Sequence, residues 1–179
     1  MTTDADDSHP PCPTSATAAA VLAQGAGFIA DLPEGVYDRP CGTMMGATIG
    51  QHLRHSVDHV AAILTGLETG VIDYDHRDRG VPVESDPAVA AETIDALLQT
   101  LARLDADTTA RPVTVRVMLT SAGDTTDLAS TIGRELAFAA HHETHHHAMI
   151  AAIAAHHGCP VPAGFGVAPS TLNYQTTGA

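Results

Sequence analysis

Across 179 residues, 21 acidic side chains face 8 basic ones, for a formal net charge of −13, and 44% of residues are apolar. A chain of this length suits one domain with its own core. Its charge excludes a nucleic-acid partner, which needs clustered Lys and Arg, and argues against an anionic membrane surface.

Residues 1–13 are polar, acidic and Pro-containing and read as a disordered tail. Residues 14–179 read as one helical domain, with an irregular tail from about residue 158. Apolar residues recur at helical spacing from Ala16 to Leu32, although Gly25 and Gly27 weaken that helix. Pro33 to Gly42 reads as a loop. Ile49, Leu53, Val60, Ile63, Leu64 and Leu67 predict a second helix from about Met45 to Leu67, ended by Gly70. Asp73 to Gly80 is too charged for a core. Asp86 before Pro87 starts a third helix that runs to about residue 104. VTVRVML, residues 113–119, alternates and is β-branched, and Ser121 to Asp124 can turn it into a hairpin. A long last helix is expected from about Leu128 to His157. Beyond it, CPVPAGFGVAPSTLNYQ has too many Pro and Gly for a helix, but Phe165, Val167, Leu172 and Tyr174 can pack back onto the domain. The expected fold is therefore all-α, a four-helix bundle with a small β-hairpin between the third and fourth helices.

Cys12, Cys41 and Cys159 are odd in number and form no CxxC pair, so a reduced, cytoplasmic setting is expected. No stretch has the apolar length of a membrane span, and the first residues lack the basic start and apolar run of a signal peptide.

Histidine is over-represented. Eight of twelve fall in two segments, His52, His55 and His59, then His141, His142, His145, His146 and His147. At about 100° per residue, Leu136, Phe138, Met149, Ile150 and Ile153 define the buried face of the last helix. His142 and His146 lie near its middle and His145 at its edge; His141 and His147 point outward. Two imidazoles at i and i+4 on one face can bind one metal ion. His52, His55 and His59 flank the apolar stripe of the second helix and can supply a third ligand; periodicity alone places His52 and His59 nearer the core. Burying imidazoles without partners costs about 1–3 kcal/mol each, a cost that coordination removes for the ligating nitrogens.

The segments TIGQHLRH (Thr48 to His55) and HETHHHAMI (His142 to Ile150) resemble the second-helix and last-helix motifs of the DinB/YfiT-like superfamily. YDHRDRG, RELAFAAHHETHH and FGVAPSTLNY resemble an uncharacterised DinB-like subgroup. The resemblance spans about residues 15–157. It implies an up-down-down-up four-helix bundle, often a homodimer, and a divalent zinc, nickel or iron ion on His55, His142 and His146. It also implies varied chemistry, from thiol-dependent transferases and isomerases to hydrolases and iron-dependent sulfoxide synthases. Many relatives carry His-Arg-Gly-Gln where this chain has His146-His147-Ala148-Met149.

Three neutral imidazoles leave at least one coordination position open for water or a thiol. The expectation is a metal-dependent hydrolase or thiol-dependent transferase acting on a small molecule, the alternative a metal-binding or sensing protein without turnover. Glu135, on the face of His142, is the candidate catalytic base, although an ion pair with an arginine is its more ordinary role; Glu143 lies about 100° away. His52, His59 and His145 are candidate partners of the ligands, proton shuttles or alternative ligands. Tyr74, Arg77 and Arg79 are a candidate substrate rim, with Asp75 and Glu84 in the same polar segment.

Overall fold

The computed structural model describes residues 12–76 and 80–178. Residues 1–11, which hold most of the expected disordered tail, and the rim candidates Arg77 and Arg79 lie outside the described residues.

Helix α1, Pro13–Ala30, buries Ala18, Leu22, Gly25, Phe28 and Ile29 on one stripe. Gly25 is compatible with a helix here because it makes room: a Cβ there would lie 2.9 Å from Nε2 of His147. Helix α2, Ile49–Thr69, begins four residues later than expected. Met45 has a left-handed backbone (φ 54°), and Cys41 bridges Ala47, so the chain is still turning there. The helix starts at a reciprocal cap, Gln51 N donating to Thr48 Oγ1 at 3.1 Å and Thr48 N to Gln51 Oε1 at 3.2 Å. Gly70 ends it at φ 76°, its N–H reaching the Gly66 carbonyl.

Asp86 caps helix α3, Pro87–Leu101, as its Asp-Pro start predicts, and Asp105 caps a short helix α4, Ala106–Ala110. The hairpin is present as β2, Pro112–Met118, antiparallel to β3, Thr125–Thr131. It is joined by β1, Val71–Asp73, which pairs in parallel with β2. Three residues are too few to show an alternating pattern, and Asp73 had been read as the start of a polar connection. The strand exists because Ile72 is fully buried and its neighbours complete the ladder.

Helix α5, Ile132–His156, starts at Ile132 instead of Leu128 because residues up to Thr131 are used by β3. Thr131 caps it through Arg134 N. The tail, expected to be irregular, carries helix α6, Pro169–Thr177. Pro169 stands in its first turn, where a missing N–H costs nothing, and the helix is exposed throughout. Ahead of it Phe165 packs back, stacking on Phe28 at 4.5 Å and on His147 at 4.5 Å. Of the other tail residues expected to pack back, Val167 is half-buried, Leu172 is 37% exposed and Tyr174 64% exposed.

The molecule is thus mostly helical with a small three-stranded sheet, the β1-β2-β3 order setting the hairpin against the end of α2. Leu22, Leu53, Ile63, Leu136, Ile150 and Ile153 are fully buried where α1, α2 and α5 meet. Each such side chain contributes about 1.5–3 kcal/mol on leaving water. Among the described residues no helix is long and apolar enough to cross a membrane.

Candidate metal centre

α2 and α5 run antiparallel, because His52 meets His146 while His59 meets Phe138. This arrangement brings His55, 87 residues earlier in the chain, to His142: their Nε2 atoms are 3.0 Å apart. His146 Nε2 lies 3.2 Å from His142 Nε2. One ligating nitrogen from each of the three residues falls within a 4.8 Å group. Two helices therefore unite the three residues that motif resemblance singled out.

The donor set fits a cation better than it fits itself. His142 Nε2 has either one hydrogen or one in-plane lone pair, and it faces two other Nε2 atoms, so direct hydrogen bonding cannot satisfy both contacts well. A tetrahedral ion with bonds of about 2.0–2.1 Å would separate its nitrogen ligands by about 3.3 Å, close to the spacing present.

Burial and neighbouring imidazoles keep the rings of His142 and His146 neutral, as ligation requires. Burial, then His59 and His145, pull His142 down to about 4. Burial, then His55, His142, His52 and His145, pull His146 down to about 3. His52 is also lowered, by burial and by His145.

Around the trio, His59 is buried, with Nδ1 2.9 Å from the His55 carbonyl. Its ring stacks on Tyr74 at 4.8 Å and meets His142 at 4.5 Å. Phe138 stacks on His142 at 5.5 Å. His145 is exposed and touches His146 edge-on. An open cavity of about 340 Å³ adjoins the histidine cluster, lined by Gln51, His52, Arg54, His55, Glu84 and His146. Glu84 does not stand free on this rim; it pairs with Arg54, which also pairs with Asp58. A larger recess, about 630 Å³, lies between α1 and the tail; its lining includes none of His55, His142 and His146, and Asp31 is its one carboxylate. Chemistry, more than size, selects the smaller cavity.

Glu135 is buried and accepts from Tyr74 Oη (2.7 Å), Ser130 Oγ (2.5 Å) and Arg134 Nη1 (2.7 Å). Its ion-pair partner is the adjacent Arg134, while Arg116 pairs with Asp127. Asp75 is turned to the sheet, accepting from Met118 N at 2.7 Å. Tyr74→Phe should remove one of the three donors and lower stability by about 1–3 kcal/mol in urea denaturation. An unchanged midpoint would mean that the carboxylate does not depend on the phenol.

Two expectations for α5 need correction. His147 does not point outward but is completely buried, and Glu143 is 1% exposed. Phe138, one of the residues expected to define the buried face, is 37% exposed. The buried arc of α5 is wide because the helix packs against both α1 and α2, and it includes Leu136, Ala139, Ala140, Glu143, His146, His147 and Ile150. Neither oxygen of Glu143 nor either ring nitrogen of His147 has a hydrogen-bond partner among the described residues. Burial raises Glu143 to about 8 and lowers His147 to about 4.

Comparison with known proteins gives two findings. The family model described as DinB superfamily matches residues 8–150. Over 112 residues the chain is 36% identical to a protein named FK506-binding protein 5 from Rhizopus delemar, a match covering 58% of this chain and 27% of that protein. The chain thus aligns with only about a quarter of that relative's length. No solved structure matches.

Proposed function

Because the chain belongs to the DinB superfamily, we propose that it is a metal-dependent enzyme in which His55, His142 and His146 hold one divalent ion, zinc, nickel or iron, beside a cavity that admits a small-molecule substrate. The observation that carries this reading is the meeting of three Nε2 atoms from two helices. The four longer helices, α1, α2, α3 and α5, are read accordingly as an up-down-down-up bundle.

Three protein ligands leave a coordination position open, where a bound ion supplies Lewis acidity that lowers the pKa of water towards about 7, or stabilises a thiolate. Hydrolysis and thiol transfer both follow from that property. The protein's own contribution is positional. His142 and His146 are held on rigid helix, one turn apart, with burial keeping their lone pairs unprotonated. His59, Tyr74 and Phe138 form an apolar and aromatic wall beside His142. Glu135, with three donors already filling it, is assigned to holding Tyr74 in that wall instead of moving a proton.

The test is elemental analysis of untagged, dialysed protein beside His55→Ala and His142→Ala. About one equivalent of zinc, nickel or iron in the parent, lost from both variants, is expected. A parent that retains no metal after each ion has been supplied overturns the reading. A retained ion with all four positions filled by the protein would favour the alternative, a metal-binding or sensing protein without turnover.

A further inference from the structure

His146 has two ring nitrogens with two different neighbours. Nε2 faces His142 at 3.2 Å, and Nδ1 faces Nδ1 of His52 at 2.9 Å. The second contact is short enough to require one hydrogen between the two nitrogens, and each ring, when neutral, carries one hydrogen in all. Which ring donates depends on what His146 does with Nε2.

With an ion on His146 Nε2, that nitrogen must present its lone pair, so the ring's hydrogen sits on Nδ1. His146 then donates to His52, and the His52 hydrogen is on Nε2. Without the ion, a hydrogen on His146 Nε2 can point at His142, and the Nδ1 contact reverses: His52 donates. Each ring keeps one hydrogen in both states, so the exchange is a paired change of tautomer without net protonation.

A third observation makes His52 able to follow. Its Nε2 is buried and has no partner among the described residues. No other group therefore competes to fix where the His52 hydrogen resides. The ring is held from α2, one turn before His55, so one helix supplies both a ligand and the support of a ligand on the facing helix. Metal-ligating imidazoles characteristically give their distal N–H to an acceptor that fixes ring orientation and raises basicity. That acceptor is commonly a carboxylate or a carbonyl; here the nearest atom is another imidazole nitrogen.

We infer that His52 is a positioning residue for the metal centre, accepting the Nδ1–H of His146 and switching tautomer with it when the ion binds. The inference rests on the metal-site reading above.

The test uses the untagged 179-residue protein stripped of metal. Zinc affinity is measured by competition with a chromophoric chelator for the parent, His52→Leu and His52→Asn. Leu keeps bulk but offers no acceptor; the Asn amide can place an oxygen near the position of Nδ1. A 10–100-fold loss of affinity is expected for Leu, with Asn within a few-fold of the parent. In parallel, long-range nitrogen–proton spectra of imidazole-labelled parent should show zinc moving the His146 hydrogen to Nδ1 and the His52 hydrogen to Nε2. These spectra decide the matter even if a variant does not fold. Parent affinity in the Leu variant, or a His52 hydrogen that zinc leaves on Nδ1, overturns this inference alone. A parent that binds no zinc or other divalent ion overturns the metal-site reading and this inference with it.

Discussion

Replacing Glu143 with Gln should remove a loss of stability that the metal-free protein shows as pH rises from about 6.5 to 8. The carboxyl group is 1% exposed, has no hydrogen-bond partner among the described residues, and is raised by burial from 4.5 to about 8. Between those values the folded protein holds a proton that the unfolded chain has released. Stability therefore falls with rising pH across this window and levels off above it. His147 works in the opposite sense. Lowered from 6.5 to about 4, it makes the folded state the poorer proton binder there, so stability falls as pH drops through that range. His142 and His146 add to the same acid limb.

From about 4.5 to 6.5 Glu143 and the histidines oppose one another; above 6.5 Glu143 acts alone among them. The stability curve should peak near pH 6.5 and decline by on the order of 2 kcal/mol towards pH 8, at 1.36 kcal/mol per pH unit for one proton. Chemical denaturation of chelator-treated Glu143→Gln at pH 5, 6.5 and 8 reads this directly. The variant should keep its acid limb and lose its alkaline one. An unaltered alkaline limb would show that another group carries it.

Gly50→Ala should be strongly destabilising. An added Cβ would lie 2.0 Å from the backbone oxygen of Glu84 and 2.7 Å from the Tyr37 ring. Gly50 N also donates to the Tyr37 carbonyl at 2.9 Å, so the first turn of α2 cannot simply back away. Helix propensity favours Ala over Gly by about 1 kcal/mol, and overpacking against backbone costs about 3 kcal/mol or more, so the steric term wins. Gly27→Ala is the matched control. It too is helical, but a Cβ there meets nothing within 4 Å, and about 0.5–1 kcal/mol of added stability is expected. Thermal melting of both variants should move in opposite directions. A neutral Gly50→Ala would mean that the 82–84 segment yields easily.

The helices were legible where pattern and cap agreed. Asp86-Pro87 marked the start of α3, and Gly70 marked the end of α2. Boundaries failed where a neighbouring element claimed the residues: β3 took Leu128 through Thr131, and a left-handed Met45 delayed α2. β1 was invisible because three residues carry no period, its pairing being decided by β2, some 40 residues away. The candidate ligand set came from motif resemblance. Periodicity on α2 ranked His52 and His59 closer to the core than His55, and in burial it was right about His59. Burial, however, does not decide ligation; the direction of Nε2 does, and a helical wheel does not contain it. The wheel also misplaced His147, because a helix covered on two sides by α1 and α2 has no single apolar stripe to centre on.

The antiparallel pairing of α2 with α5 also has a consequence in time. As the chain is synthesised, His55 is made 87 residues before His142, and the last long helix must dock before the three nitrogens share one point. Under the proposed reading the complete three-nitrogen site therefore exists only once α5 has docked against α2. Among the described residues, a cavity opens onto this point between Gln51 and His146, beside the Arg54–Glu84 pair. Under the proposed reading, an ion entering by that cavity would pass a paired Arg and Glu before it met the histidines.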